Sequence, residues 1–375
     1  MRWRTVARAR DAVHRPNMPM LTPRDIQVFV NPNHGTPGIV VLPAAGFRRA
    51  KAEITAWDGF AVTPLRHLPS WAADAGVATI LMKDEATRFG LGSFKSLGGA
   101  YAVVNLVRDA QARSAGPITV TCATDGNHGR SVAWGARRFG CRCVIFVHEQ
   151  VAQWRIDAIA AFGADIQRVP GTYDDAVRTC SEQASANGWS IASDTSWPGY
   201  TEVPRAIMQG YRIMADEAAD QWEGPPPTHV FVQGGVGGAA AAVSAHLRAR
   251  FTPVPKLIVV EPDRAACLLA SARAGALTAI PGDLDTVMAG LACGEPSLLA
   301  WQELERAAVA FMSIPDESAV ETVRLLMNQN IFAGESGVAG LSGCILAARN
   351  MHTRALLGLT KDSRILVFNT EHSAF

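Results

Sequence analysis

The stretch PITVTCATDGNHGRSVAWGARRFGCRCVIFVHE, residues 117–149, decides the fold. Two short runs of apolar residues, 117–124 and 142–149, flank residues 129–140, where apolar side chains recur at helical spacing before a glycine. Strand, helix and strand in this order predict a parallel βαβ unit with a right-handed crossover. The continuous apolar character of both runs predicts strands that are covered on both faces.

The same alternation of strand and helix patterns continues along most of the chain. The predicted strands are residues 77–85, 165–171, 189–194, 256–262 and 363–370, and residues 230–251 are predicted to form a strand followed by a helix. The predicted helices are residues 93–114, 153–163, 173–188 and 297–327, with a loop and helix over 334–351. A proline-rich segment, residues 221–229, interrupts the pattern. We therefore predict an α/β fold with two parallel-sheet domains, a small one formed by residues 98–205 and a larger one by residues 1–97 and 206–375.

Composition narrows the class of protein. The chain has 375 residues, 48% of them hydrophobic, which suits about two domains. A net charge of +1 gives no reason to expect a nucleic acid or an anionic membrane as partner. No apolar run reaches the roughly 20 residues that a membrane span needs. Seven cysteines without a CxxC pair and no metal-ligand spacing predict a reduced, cytoplasmic protein without a metal site.

The first twenty residues, MRWRTVARARDAVHRPNMPM, are rich in arginine and almost free of acids. We interpret them as a ragged extension. A transit peptide is the alternative, although serine and an apolar core are missing.

A glycine-rich loop, GGVGG at residues 234–238, lies between a predicted strand and a predicted helix. Glycines allow the backbone to approach a ligand, and the free N–H groups of a helix start favour an anion such as a phosphate. Two alternatives stay open. From Gly235 the stretch also fits the dinucleotide fingerprint G-x-G-x-x-A, with Glu261 as the ribose-binding acid, and a tight turn without a ligand would look similar.

A second candidate lies in TRFGLGSFKSLGGAYAV, residues 87–103, where Lys95 stands among glycines and apolar residues. A lysine shielded from water near a helix start is expected to have a lowered pKa and a nucleophilic amine, although a surface lysine is the plain alternative. The loop 124–129 follows another strand, where Asp125 or Asn127 could simply cap the helix and His128 is expected to be a structural hydrogen-bonding residue. An amine, a phosphate cradle and a carboxamide at strand ends together favour pyridoxal phosphate.

These motifs resemble a known family. SFKSLGGAYAV, TDGNHGR and GGVGG, in this order, resemble the fold-type II pyridoxal phosphate enzymes, which are related to the tryptophan synthase β-subunit and bind the cofactor between two domains. RFGLGSFKSLGGAYA, ATDGNHGRSVAWGA, DTSWPGYTEVPRAIMQGY, MAGLACGEPS, GESGVAGL and LVFNTE resemble the diaminopropionate ammonia-lyases. The similarity extends from about residue 60 to residue 371.

The resemblance implies a role for each matching residue. It implies Lys95 as the Schiff-base lysine, Asn127 as the partner of the cofactor's ring oxygen, and Thr370 or its neighbour Asn369 near the pyridine nitrogen. The remaining cofactor contacts that it implies are Phe94, Gly234, Gly235, Val236, Gly237 and Gly238. Asp125 and Asp194 would be the acids of the site.

The implied reaction is α,β-elimination of D- or L-diaminopropionate to pyruvate and two ammonia by a homodimeric carbon–nitrogen lyase. A substrate with two amines needs a carboxylate to hold its ammonium, and Asp125 stands where dehydratases of this fold have an uncharged residue. The alternatives are another β-eliminating lyase acting on serine, threonine or hydroxyaspartate, a non-catalytic sensor of amino acids or cofactor, and the dinucleotide dehydrogenase.

Several segments add expectations or depart from the family pattern. Residues 198–200 are predicted to form a lid, and residues 335–337 either reach the cofactor ring or form a turn. His372 replaces the glycine of the family's NTEG, which puts the cover of the site in doubt. Cys267 and Cys293 lie in family-like stretches and either cross-link or remain free thiols, the reading that we favour.

Overall fold

A computed structural model describes residues 26–114, 116–124 and 126–373. The arginine-rich start of the chain and Asp125 therefore lie outside the described residues. The strands of the described part are β1 (Gln27–Val30), β2 (Leu65–His67), β3 (Thr79–Asp84), β4 (Thr119–Ala123), β5 (Arg142–His148), β6 (Asp165–Val169), β7 (Ser190–Ile191), β8 (His229–Gln233), β9 (Lys256–Pro262), β10 (Ala308–Ile314) and β11 (Arg364–Asn369).

The α-helices of the same residues cover the faces of the sheets. They are α1 (Ala44–Ile54), α2 (Pro69–Ala75), α3 (Ser96–Ala112), α4 (Asn127–Phe139), α5 (Gln153–Ala160), α6 (Tyr173–Asn187), α7 (Glu202–Gln221), α8 (Gly238–Arg250), α9 (Cys267–Ala274), α10 (Leu298–Ala307), α11 (Asp316–Met327), α12 (Ala339–Arg349) and α13 (Met351–Leu357). Short 3₁₀ turns cover Glu85–Gly90, Asp263–Ala265, Ala289–Leu291 and Ser336–Val338.

The strands form two sheets. The seven-stranded sheet has the order β1-β10-β9-β8-β11-β3-β2, and the four-stranded sheet has the order β6-β5-β4-β7. All pairs of the smaller sheet are parallel, as the alternation of strand and helix predicts. In the larger sheet only the two edge strands, β1 and β2, run antiparallel to their neighbours. The predicted α/β fold with parallel sheets is confirmed, whereas the predicted domain boundaries stay a prediction.

One predicted element is wrong. Residues 297–327 are not continuously helical, because strand β10 separates α10 from α11. Residues 308–314, AVAFMSI, contain alanine and methionine and follow helix α10 without a turn signal, so their local pattern permits a helix, although Pro315 follows them. They form a strand because β10 pairs with β9 on one side and with β1 on the other, and this pairing overrides the local preference.

The larger sheet is buried on both faces. Alternate residues of its central strands enter two separate hydrophobic clusters: Val230 and Val232 of β8 pack in one, and Phe231 between them packs in the other. Successive side chains of a strand point to opposite faces, so a strand with no polar alternation needs helices on both sides. The apolar runs of the sequence are explained by this double burial.

Helix α3 lies against both α4 and α7. Its glycine Gly98 is needed there, because a Cβ on Gly98 would lie 2.9 Å from the backbone oxygen of Ile207 in α7. A Cβ on Gly210 of α7 would lie 2.0 Å from the oxygen of Leu97. The two backbones are therefore in direct contact, and this contact brings Tyr211 next to the start of α3.

A buried cluster of charges supports the loop before α3. The guanidinium of Arg88 binds Glu85 at 2.8 Å and Glu217 of α7 at 2.7 Å, and Lys83 binds Glu217 at 2.7 Å. Thr63 adds hydrogen bonds to Glu85 and Glu217. Two cations balance two carboxylates, so the cluster satisfies its charges without solvent. It fixes the segment between β3 and α3 to helix α7.

Candidate active site

The predicted site residues follow the carboxyl ends of parallel strands. Lys95 comes after β3, Asn127 after β4, the glycine loop after β8 and Thr370 after β11. Ligands of open α/β sheets collect at this edge, which explains why segments far apart in sequence meet in one place. They line a single cavity of about 1710 Å³, together with Asp194 and Phe94.

Lys95 is the residue immediately before helix α3. Its Nζ lies 5.4 Å from the ring centre of Phe94 and 5.6 Å from that of Tyr211, while the two rings pack 4.6 Å apart. Its ammonium donates a hydrogen bond of 2.6 Å to Oδ2 of Asp194. Because only about a fifth of either side chain is exposed, this ion pair is largely shielded from water.

Asp194 changes the expected charge state of the lysine. Burial alone lowers the pKa of Lys95, as the sequence predicts, but the carboxylate of Asp194 outweighs burial and raises it above its ordinary value. The predicted lowered amine pKa is therefore wrong for the protein by itself. For Asp194, burial opposes ionisation, and the nearby His128 and Lys95 nevertheless hold its pKa well below the usual range. The pair is an ammonium and a carboxylate.

His128 lies beside the ion pair of Lys95 and Asp194. Its Nε2 lies 2.7 Å from the backbone oxygen of Ala192, and its Nδ1 lies 3.7 Å from Oδ2 of Asp194. Burial lowers the pKa of His128. An imidazole that donates from Nε2 to a backbone oxygen is a structural hydrogen-bonding group, as we predict from the sequence.

The segment that carries Asp194 is held by Tyr200. The Tyr200 hydroxyl accepts the N–H of Ser193 at 3.0 Å and donates to the oxygen of Ile191 at 2.9 Å, and its ring stacks on Trp197 at 4.2 Å. The predicted lid residues therefore brace the residues next to Asp194. Whether they cover the site stays a prediction.

Asn127 begins helix α4, and a residue that the sequence analysis missed binds it. The Nδ2 atom of Asn127 donates to Oε2 of Glu371 at 2.7 Å across 244 residues of sequence. Burial raises the pKa of Glu371, although Ser336, Arg155 and Lys95 lower it. Glu371 lies in the quoted motif LVFNTE, but no local pattern connects it to Asn127.

The glycine loop suits a phosphate. Gly237 has φ +94° and directly precedes helix α8, whose start has no side-chain cap. A Cβ on Gly237 would lie 3.1 Å from Cβ of Ala300, so a larger residue would fill the turn. Residues 235–238 line the cavity, whereas Gly234 packs on the core next to Val259. Uncapped N–H groups at a helix start, in a cavity that Lys95 also lines, fit an anionic phosphate.

Thr370 and Asn369 point to different places. Asn369 is fully buried and donates to Oδ1 of Asp84 at 2.8 Å, whereas Thr370 lines the cavity. The Thr370 hydroxyl accepts a hydrogen bond of 2.7 Å from Nε2 of Gln233. This bond leaves the hydroxyl proton for an acceptor, and a neutral pyridine nitrogen is an acceptor. The local pattern of β8 gives no signal for the role of Gln233.

Residues 56–370 match the family described as "Pyridoxal-phosphate dependent enzyme". The chain belongs to this family.

Relatives in the family agree with the predicted resemblance. The chain is 41% identical over 339 residues to diaminopropionate ammonia-lyase of Escherichia coli strain K12, which covers 84% of this chain and 85% of the relative. It is 35% identical to the enzyme of that name from Salmonella typhimurium, over 83% of this chain and 85% of the relative. The crystal structure of the E. coli holoenzyme superimposes with a TM-score of 0.87 at 36% identity, covering 93% of this chain and 94% of that one. The E. coli enzyme has also been solved in complex with an aminoacrylate-PLP azomethine reaction intermediate, with a TM-score of 0.85.

Membership of the pyridoxal phosphate family excludes the dinucleotide-binding alternative. In the structure, Glu261, which that alternative assigns to a ribose, has a different role. Its side chain is fully buried, and its two oxygens accept the N–H groups of Leu268 and Leu269 at 2.7 and 2.8 Å. Glu261 therefore caps the first turn of helix α9 and cannot reach a ribose. Burial raises its pKa to about 8.

Cys267 and Cys293 both lie beside the glycine loop, and neither takes part in a disulfide. Cys267 lies 3.7 Å from the oxygen of Gly235, and a Cβ on Gly235 would lie 3.2 Å from Sγ of Cys293. Whether they can cross-link stays a prediction.

His372, which stands where the family motif has glycine, makes contacts through both its backbone and its ring. Its N–H donates to the oxygen of Gly92 at 2.8 Å, and its ring stacks on Phe332 at 5.8 Å. The side chain lines the cavity, so the C-terminal cover includes an imidazole here.

The part of the chain that the structure describes contains neither a metal-binding cluster of side chains nor a helix that could cross a membrane. Among residues 26–114, 116–124 and 126–373, no three His, Cys, Asp or Glu side chains come together as a metal-binding group. None of the helices in that part of the chain combines the length and apolarity that crossing a membrane requires.

Proposed function

We propose that the protein is a pyridoxal phosphate-dependent ammonia-lyase that eliminates ammonia from D- and/or L-2,3-diaminopropionate, giving pyruvate and two ammonia. The observation that carries the proposal is the ion pair of Lys95 with Asp194 in the cavity that the glycine loop also lines. A lysine and an additional carboxylate are what a diamino acid needs, one to exchange with its α-amine and one to hold its β-ammonium. The relatives of this name support the same substrate.

Residues on three sides of the cavity would hold the cofactor. Residues 235–238 bind its phosphate at the start of α8, Asn127 donates to its ring oxygen, and the Thr370 hydroxyl donates to its pyridine nitrogen. Phe94 packs beside Lys95, whose Nζ forms the covalent link. Bound in this way, pyridoxal phosphate withdraws the electron pair that remains on the substrate's Cα when its proton leaves.

Lys95 has two tasks in this scheme. Its nitrogen would hold the cofactor until the α-amine of the substrate takes its place, and the free amine would then take the α-proton of the L substrate. Proton transfer requires a base within about 3 Å of the carbon-bound proton's position, on the correct face. The raised pKa of Lys95 means that the ammonium must lose its proton before the nitrogen can bond to the cofactor, and displacement by the substrate amine would then release it as a neutral amine that can act as a base.

Asp194 is the residue that we expect to hold the β-ammonium of the substrate. Its carboxylate binds an ammonium at 2.6 Å in the structure, and because Lys95 is no longer an ammonium when it holds the cofactor or serves as a base, the carboxylate is then available to the ammonium of the substrate. The β-nitrogen leaves as ammonia with the electron pair of its C–N bond, while the electrons at Cα form the new double bond. Aminoacrylate is released and hydrolyses to pyruvate and the second ammonia.

Asp125 is proposed as the base for the D substrate. This role comes from the resemblance and from the carboxylate in TDGNHG, since Asp125 lies outside the described residues. Two bases on opposite faces of Cα would allow both enantiomers to react. A homodimer and a cytoplasmic location also belong to this proposal, and the homodimer is implied by the resemblance alone.

Product stoichiometry tests the function. Pyruvate and ammonia are measured with D- and L-diaminopropionate, serine and threonine. Two ammonia per pyruvate are expected from the diamino acid, whereas a hydroxy acid releases one. Faster pyruvate formation from serine or threonine than from either diaminopropionate would favour the alternative lyase and contradict the proposal.

Variants test the two bases. Asp125→Asn is expected to lose turnover of D-diaminopropionate while the L substrate still reacts through Lys95. Asp174→Asn removes another carboxylate of the cavity wall, an exposed one at the start of α6, and is the matched control. Intact D turnover in Asp125→Asn would show that its assigned role is wrong.

A further inference from the structure

Glu371 lies where several segments of the site meet. The backbone around it pairs with the segment that carries Lys95: Phe94 N–H donates to the oxygen of Thr370 at 3.2 Å, and His372 N–H donates to that of Gly92 at 2.8 Å. Ser93 and Glu371 form an antiparallel bridge between these bonds. The position of the Glu371 backbone is therefore coupled to the loop that presents the lysine.

The carboxylate of Glu371 is enclosed by the loops opposite α4. A Cβ on Gly334 would lie 2.7 Å from its Oε1, so only glycine leaves room for the carboxylate there. The Ser336 hydroxyl accepts the N–H of Gly290 at 2.9 Å and lowers the pKa of Glu371. Packing against these loops therefore restricts the carboxylate that binds Asn127.

The bond of 2.7 Å from Asn127 to Glu371 fixes the orientation of the amide. An asparagine amide has two N–H groups on one nitrogen and one oxygen, all in a plane. The Glu371 carboxylate can accept a hydrogen bond only from the nitrogen of the Asn127 amide, because a flipped amide would place the amide oxygen against the negative charge of the carboxylate. With one N–H held by Glu371, the second N–H of the same nitrogen is directed by the plane of the amide.

We infer that Glu371 is a positioning residue for the cofactor: it holds the Asn127 amide so that its second N–H donates to the ring oxygen of pyridoxal phosphate. The inference rests on the role proposed for Asn127. Glu371 acts through Asn127 and makes no contact with the reacting atoms. Its contribution is orientation, since an unheld amide donates from only some of its conformations.

The test measures cofactor binding and does not depend on turnover. Apoprotein variants are titrated with pyridoxal phosphate, and the quenching of tryptophan fluorescence gives Kd. Loss of one charge-assisted hydrogen bond is expected to weaken binding about tenfold in Glu371→Ala and in Asn127→Ala. Glu295→Gln removes a negative charge from an exposed part of the same cavity wall and is expected to bind like the wild type.

The double variant decides between orientation and an independent effect. If Glu371 acts through Asn127, combining both alanine substitutions weakens binding no more than Asn127→Ala alone, within about twofold. Losses that multiply, or a Glu371→Ala protein with wild-type affinity, would overturn the inference. Should Glu371→Ala fail to fold, Glu371→Gln preserves size and one acceptor oxygen, and the same comparison applies with Asn127→Ala.

A spectroscopic readout separates positioning from general loosening. A hydrogen bond to the ring oxygen stabilises its anionic form, so the yellow band of the bound cofactor, expected at about 420 nm, should weaken alike in Glu371→Ala and Asn127→Ala. An unchanged band in Glu371→Ala would contradict the inference. A wild-type protein that binds the cofactor but forms no pyruvate from diaminopropionate would refute the proposed function and leave the coupling of Glu371 with Asn127 intact.

Discussion

Replacing Asp194 by asparagine tests how the site distinguishes a diamino acid from a hydroxy acid. The substitution keeps the size of the side chain and removes its charge. If Asp194 holds the β-ammonium, the variant loses affinity for the transition state of diaminopropionate because that ammonium no longer meets a carboxylate. Serine has no β-ammonium, so its binding, measured as a substrate or as a competitive inhibitor, should change less.

The structure gives the size of the effect. Opposite unit charges 2.6 Å apart, the distance from Asp194 to the Lys95 ammonium, attract by about 6 kcal/mol at an effective dielectric constant of about 20. Both groups lose water in the pair, so the net value of such a charged hydrogen bond is about 1.5–3 kcal/mol. If the substrate ammonium takes the same position, kcat/KM of Asp194→Asn for diaminopropionate should therefore be about 10- to 150-fold lower than that of the wild type.

The assay compares wild type and Asp194→Asn with both substrate classes. The expected result is a loss of kcat/KM for diaminopropionate that exceeds any loss for serine by at least about tenfold. Equal losses for both substrates would mean that Asp194 acts only on Lys95, and the reasoning about the β-ammonium would be refuted. Cofactor content, read from the yellow absorption, confirms that each variant is compared in its loaded form.

Three further substitutions test the parts that support the site. Arg88→Met leaves two buried carboxylates without their shared cation and should lower the free energy of unfolding, measured in urea, by about 3–5 kcal/mol. Arg108→Met removes an exposed ion pair and should lower it by at most about 1 kcal/mol. Equal losses of stability would contradict the role of burial. Gly237→Ala should weaken pyridoxal phosphate binding about tenfold or more, while Gly140→Ala, which has a similar positive φ but open space, should lower stability by about 1 kcal/mol and leave Kd unchanged. For Glu261, a pKa raised from 4.5 to about 8 in the folded protein favours the protonated form, so stability should be full below pH 4.5 and fall as the pH rises towards 8, by at most about 5 kcal/mol. Urea unfolding at several pH values should show this fall in the wild type and not in Glu261→Gln; an equal pH dependence would show that another group is responsible.

Local sequence was enough to predict most of the fold and the class of cofactor. Strand and helix periods identified the βαβ order, because the period of apolar residues depends only on the local backbone geometry. The glycine loop and Lys95 were visible for a similar reason, since both lie at strand ends and the requirement for glycine is local. The strand at residues 308–314 was missed because its neighbours in the sheet, and not its own pattern, make it a strand.

The sequence by itself determined the alternating elements, the glycine turn before α8 and the position of Lys95 at the end of a strand. Only the tertiary structure decided which charges meet: Asp194 reaches Lys95 across 99 residues and reverses the predicted shift of its pKa, and Glu371 reaches Asn127 across 244. It also decided that Glu261 caps a helix. The physical reason is that a backbone conformation depends on neighbours along the chain, whereas the electrostatics of a buried group depend on whatever the order of strands brings within a few ångströms of it.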